Sequence, residues 1–208
     1  AMEKLSIMRE ARVYCGGLPQ KPRPPLGYKI VFSLDGLLAS YFGKAYALRK
    51  GEVVSVAPFS EREELDFGEP VGRLEAFTTA GGAGTCPWTF QGRMQTYEYK
   101  TLRYPGHYDK IQTLRELGLL EEKPVEVDGV PVSPRLLFKA AAGPRLRFPG
   151  DKDLVVLRVS ARGQKEGKNV EIAYDLLDLY DPKTGFTAME RTTGFSAALV
   201  AQMLENGT

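Results

Sequence analysis

The sequence predicts an α+β domain, a mostly antiparallel or mixed sheet with its helices gathered on one face. Three observations carry this reading. Segments with strand-like alternation recur along most of the chain. Tight-turn dipeptides, Lys50-Gly51 and Asp128-Gly129, separate neighbouring strands. No strand–GxGxxG–helix unit of the dinucleotide-binding type is present. The 208 residues suffice for one domain spanning 1–208, and a chain of this size buries roughly 70% of its unfolded surface without needing a disulfide or a metal.

Taken in order, "RVYCGGL" (12–18) reads as a strand, and the prolines of "PQKPRPPLG" (19–27) close it. After the apolar run "YKIVFS" (28–33), Leu34, Leu37, Leu38 and Tyr41 fall at helical spacing, with Gly43 as a stop. "AYALRK" and "EVVSVA" form a hairpin, "ELDFG" and "RLEAFTTA" continue the β character, and "MQTYEYKTLRY" (94–104) is the strongest strand of the first half. The glycine-rich "AGGAGTCPW" (80–88) between them reads as a surface or active-site loop. From Pro105 the period switches. Tyr108, Ile111, Leu114 and Leu117 predict a helix ended by Gly118. "VEVDGVPV" (125–132) is a small hairpin, and "SPRLLFKAAAG" (133–143) a helix with Ser133 as its cap and Pro134 in its first position. Two long strands, 153–163 and 169–181, are joined by "QKEGK", and "TTGFSAALVAQML" closes the chain with a face of small residues (Gly194, Ala197, Ala198, Ala201). Ala1 ahead of Met2 reads as a tag remnant.

Composition removes several function classes. Apolar residues make 43% and charged residues 26% of the chain, and 28 basic against 26 acidic residues leave +2. That balance argues against a nucleic-acid binder, which concentrates basic charge on one face. Apolar runs are too short for a bilayer span and no signal-peptide core leads the chain, so the expected location is the cytoplasm. Cys15 and Cys86 stand far apart in no metal-ligand or CxxC pattern, so both are expected as reduced thiols and no metal site is expected.

Four segments, "VYCGGLPQKPRPPLGYKIVFSLDGLL", "GRLEAFTTAGGAGTCPWTF", "YEYKTLRYPGH" and "TTGFSAALVAQMLENGT", resemble the saccharopine dehydrogenase family, nearest its lysine 6-dehydrogenase branch. The resemblance implies a glyceraldehyde-3-phosphate dehydrogenase-like second domain that binds substrate and dimerises. A separate Rossmann domain, absent from these residues, would hold NAD or NADP, and this chain alone would be inactive. Saccharopine-forming members carry an asparagine–arginine–aspartate stretch after the strand matching "LEAF". Here "TTAGGAG" (78–84) has no arginine, which favours lysine or a related amine over a dicarboxylate. The implied activity is oxidative deamination of the lysine ε-amine. The alternatives are a non-catalytic module of the same fold and a carboxyspermidine-type polyamine dehydrogenase.

For that chemistry a base of near-neutral pKa is needed, and His107, the single histidine, is the catalytic candidate. Strand alternation turns Thr101 and Arg103 to one face and Leu102 and Tyr104 to the other. Arg103 and the following helix start suit a carboxylate. Thr101, Tyr104, Cys15 and Gly16 complete the candidate substrate site. Gly17, Tyr28 and Phe32 are the candidate cofactor contacts, core packing being the competing role for Phe32. Trp88 is expected as a lid anchor or a buried plug. Arg103, His107 and the 80–88 loop should line one concave surface. A sheet covered by helices on one side leaves a face for a homodimer.

Overall fold

The computed structural model describes residues 5–207. Its centre is a mixed eight-stranded sheet. β1 (Ile7–Pro19) is longer at both ends than its sequence signal, because its edges are held by β6 (Thr96–Arg103), running parallel, and β9 (Asp153–Lys165), running antiparallel. β10 (Lys168–Leu179) pairs with β9 through a two-residue turn in which Glu166 and Gly167 both adopt positive φ. On the other edge of β6, two hairpins share the strand. β2 (Ala45–Arg49) pairs at its start and carries β3 (Glu52–Val56). β5 (Arg73–Phe77) pairs at its end and carries β4 (Glu63–Asp66).

The helices form where local chemistry stops and starts them. α1 (Leu34–Phe42) begins at Ser33, whose hydroxyl accepts from the Gly36 amide, and stops at Gly43. α4 (Pro134–Ala142) has the same serine cap with proline in its first turn. A short α2 (Cys86–Phe90) emerges from what sequence marks as loop. α3 (His107–Glu116) follows Pro105, and β7 (Val125–Val127) with β8 (Val130–Val132) makes a separate ribbon. The chain ends in α5 (Ala188–Glu190), a π-turn over Arg191–Phe195, and α6 (Ser196–Glu205).

Two buried carboxylates reach from the sheet to fix helix starts. Glu75 on β5, fully buried, accepts the amides of Gly106 and Tyr108 and pairs with Arg62. Asp153, the first residue of β9, accepts the amides of Ala188 and Met189, each at 2.9 Å. The unpaired N–H groups of a helix start thereby gain the anion they favour.

Alternation along β6 separates two cores. On one face Phe77 packs with Tyr28, Leu38 and Tyr41 of the α1 region and Ile111 of α3. On the other, Leu18, Leu74, Leu102 and Val156 form a second cluster against Val71, with Tyr104 at its margin. Leu18, Leu74 and Leu102 are fully excluded from solvent, each such burial contributing about 1.5–3 kcal/mol. Among the described residues no helix is long and apolar enough to cross a membrane.

Candidate functional site

A cavity of about 870 Å³ opens on the helix-bearing face, between the ends of β1 and β6, the residues before and within α1, and the α5 turn. Thr101 and Arg103 enter it from β6, as alternation requires, while Leu102 and Tyr104 turn into the opposite core. Cys15 and Gly17 enter from β1, which runs parallel beside β6 with Cys15 opposite Thr101. Val31 and Phe32 stand at one side, and Thr79, Ala80 and Gly82 bring in the glycine-rich segment. Gly82 can be nothing larger: a Cβ there would lie 1.9 Å from the ring of Tyr99, another wall residue.

Arg103 dominates the electrostatics. It is 5% exposed and no carboxylate pairs with it among the described residues. Its guanidinium lies 4.9 Å over the ring of Tyr28. Nε donates to the Tyr41 hydroxyl (3.2 Å), and Nη1 donates to Thr101 Oγ1 (2.9 Å) and to the Leu102 carbonyl (2.7 Å). Nη2 has no hydrogen-bond partner among the described residues. A buried cation held by neutral groups, with one nitrogen unused beside a cavity, is suited to an anion.

The expectation that His107 shares this concave surface is not met. Its ring is buried beneath the site at 1% exposure, with Nε2 2.9 Å from Tyr41 Oη and Nδ1 3.2 Å from the Leu26 carbonyl oxygen. Burial first, and the nearby charge of Arg103 second, lower its pKa from 6.5 to about 3, so the imidazole is neutral at physiological pH. Three further candidates lie off the cavity. Tyr28 is sandwiched between Arg103 and the edge of His107. Tyr104 donates its hydroxyl to the Pro19 carbonyl (3.0 Å) on the other side of the sheet. Gly16 is spent on strand packing, since a Cβ there would stand 2.8 Å from Leu102 Cβ. Cys15, Gly17, Phe32, Thr101 and Arg103 do meet at the cavity. Phe32 is half exposed on its rim rather than packed in the core, and Trp88 is half exposed against Tyr46, neither plug nor lid of this site. Burial pushes the Cys15 thiol up, which disfavours a thiolate nucleophile.

Sequence reasoning missed one wall. Met189, Glu190, Thr193 and Gly194 close the cavity, and Met189 fills the space beside Gly17, where a Cβ would stand 2.5 Å from its sulfur. A Thr187–Glu190 capping box marks that helix start. The T-x-x-E spacing was the available signal. Among the described residues no three His, Cys, Asp or Glu side chains gather as a metal site.

These features agree with what comparison with known proteins finds. Residues 2–208 match the model of the saccharopine dehydrogenase C-terminal domain. The chain belongs to that family. The saccharopine dehydrogenase (L-Glu forming) of Saccharomyces cerevisiae superposes over 97% of this chain with a TM-score of 0.75 at 18% identity, so it supports the fold. The mitochondrial alpha-aminoadipic semialdehyde synthase of Bos taurus is 31% identical over 112 residues, 49% of this chain. The chain spans 60% of the yeast chain and 11% of the bovine protein. The mixed α+β architecture expected from sequence is therefore the saccharopine dehydrogenase C-terminal fold.

Proposed function

We propose that this domain binds the amino-acid substrate of an NAD- or NADP-dependent dehydrogenase of the saccharopine dehydrogenase family, with L-lysine as the substrate and oxidative deamination of its ε-amine as the reaction. The observation that carries this reading is Arg103: a buried guanidinium without a carboxylate partner among the described residues, facing a cavity of about 870 Å³, room for an amino acid and a further ring beside it. Its free nitrogen takes the substrate carboxylate, and Thr101, tied to Arg103 Nη1, borders the same spot. Glu190, which also lines the cavity and accepts the Thr187 amide through Oε2, is the carboxylate of the lining and suits the substrate's ammonium group. Thr79, Ala80 and Gly82 line the wall with no second cation, which favours one carboxylate over the two at the dicarboxylic half of saccharopine.

The same residues allow a test of the nicotinamide assignment. Phe32, half exposed on the rim beside Val31, fits a flat ring. Gly17 leaves no cradle, because Met189 occupies it, and Tyr28 is covered by Arg103. When bound, the cofactor supplies the acceptor for hydride from the carbon that bears nitrogen. The phosphates and ribose belong to a dinucleotide-binding domain working with this one in a longer cytoplasmic polypeptide, and this domain on its own is inactive. Its own share is to seat the carboxylate and align the aliphatic stem along Val31 and Met189, in a cavity open enough to admit the water that hydrolyses the imine.

The dimer proposed from sequence has a surface that supports it. It is not the face opposite the helices but the β10 end of the sheet, which the helices leave open: on the cavity side Leu176 of β10 lies beside Leu157 of β9 and is 42% exposed. The deciding assay is formation of reduced nicotinamide by the full-length protein with L-lysine and either NAD or NADP. Turnover that requires lysine supports the reading. Turnover with saccharopine and none with lysine overturns the substrate.

A further inference from the structure

We propose that His107 and Tyr41 are positioning residues for Arg103, fixing the guanidinium so that Nη2 is the nitrogen presented to a carboxylate in the cavity. The inference rests on the assignment of Arg103 as the carboxylate site and explains how that site is held ready.

An arginine Nε carries a hydrogen and cannot accept. In the 3.2 Å contact between Arg103 Nε and Tyr41, the phenol oxygen is therefore the acceptor, and its own hydrogen points elsewhere. His107 Nε2, 2.9 Å from the same oxygen, is where it goes, so Nε2 is the unprotonated nitrogen. The ring's hydrogen then sits on Nδ1, facing the Leu26 carbonyl at 3.2 Å, a group that can only accept. One arrangement of protons satisfies all three contacts. On the other arm, Nη1 has an acceptor for each of its hydrogens in Thr101 Oγ1 and the Leu102 carbonyl. Nη2 is what remains.

The choice of groups matters. A carboxylate in the place of Tyr41 would hold Arg103 equally well but would neutralise it and compete with the substrate. A phenol backed by a neutral imidazole orients the guanidinium and leaves its charge for the ligand. Tyr28 limits tilting by placing its ring beneath the guanidinium and in a T-shaped contact with the His107 ring, whose centroid is 5.5 Å away. Phenylalanine at 107 would keep ring packing but leave the Tyr41 hydroxyl without its acceptor and free to turn from Arg103.

The test uses the full-length protein with two probes, L-lysine and cadaverine, which is lysine without its carboxylate. In His107→Phe the KM for L-lysine should rise about tenfold, the effect of one lost orienting hydrogen bond. Its kcat should change little, and cadaverine turnover should match wild type. His107→Gln should recover most of the loss, since its amide oxygen accepts from Tyr41 and its N–H can reach Leu26. A His107→Phe enzyme impaired equally with both probes, or unimpaired with both, overturns the positioning role. If Arg103→Ala also fails to discriminate lysine from cadaverine, it is the carboxylate reading that falls. Nitrogen NMR of isotope-labelled wild-type side chains tests the proton arrangement independently of turnover. A ring protonated on Nδ1 and a slowly exchanging Arg103 Nε–H are expected. Protonation on Nε2, or a fast-exchanging Arg103 Nε–H, overturns it.

Discussion

The cavity end of β6 and the β9–β10 ribbon are built from the same kind of long strand and have opposite characters. At the end of β6, polar groups are buried and nearly every hydrogen has an assigned acceptor, from Leu26 through His107 and Tyr41 to Arg103. In the ribbon, β10 has β9 as its sheet neighbour and leaves apolar side chains open on both faces: Leu176 at 42%, and Leu177 at 41%, exposed. The first region pays in desolvation for geometry, which is the requirement for selecting a small charged ligand. The second leaves apolar area uncovered, which is the requirement for association. A single root joins them: Asp153 opens β9 and also holds the α5 start, whose Met189 and Glu190 line the cavity.

Substitution at the cavity end should give the largest effect. Arg103→Ala is expected to lower kcat/KM for L-lysine by about 100-fold or more, the scale of a lost charge-assisted pair, and cadaverine oxidation far less. Steady-state kinetics on both substrates checks it; equal losses would mean that Arg103 supports the fold and not the ligand.

At the shared root, Asp153→Ala strips the buried Ala188 amide and the part-buried Met189 amide of their acceptor and should cost about 2 kcal/mol in urea unfolding. It should also raise KM for lysine, because the wall formed by Met189 and Glu190 loses its anchor. A stability loss with unchanged KM would show that the ribbon and the cavity are not coupled through Asp153.

The pH dependence of stability sharpens the contrast next. His107 has a folded pKa of about 3 against an ordinary 6.5. Above about 6.5 both folded and unfolded chains carry it neutral. As the pH falls below that, the unfolded chain takes up a proton that the folded chain does not. Stability should therefore decline toward acid by up to about 1.4 kcal/mol per pH unit until the folded pKa is reached. Unfolding curves between neutral pH and mild acid should show a shallower slope in His107→Phe. An identical slope in the two proteins would mean that the imidazole is charged in the native state.

The smallest effect on stability is expected in the ribbon. Leu176→Asp lies on an open strand and should shift stability by about 0.5 kcal/mol or less. By placing a charge on the face proposed for the dimer, it should nonetheless give a monomer by sedimentation. A variant that remains dimeric would move the interface away from this face.

How much of this was legible in the sequence differs between the same two regions. The ribbon was legible almost entirely, since alternation at Val155, Leu157 and Val159 and a polar turn depend on neighbours in sequence. So did the parity that put Thr101 and Arg103 on one face and Leu102 on the other. The fate of His107 was not. Its place at a helix start was read correctly, but the side to which its ring turns is set by Tyr41 and Leu26, which lie 66 and 81 residues away in the chain. The α2 turn was hidden in a glycine-rich stretch. The cavity wall at Met189 and Glu190 was hidden because "GFTAME" carries little periodicity, and its position depends on a carboxylate 35 residues upstream. Strand signals are local; the site is assembled from contacts that are not.

The central claim, that Arg103 seats the carboxylate of an amino-acid substrate, is tested most directly by a crystal structure of the full-length protein with L-lysine. The lysine carboxylate should lie at hydrogen-bonding distance from Arg103 Nη2, with His107 out of contact with the ligand. A carboxylate bound elsewhere in the cavity, with the Arg103 guanidinium facing solvent, would contradict it.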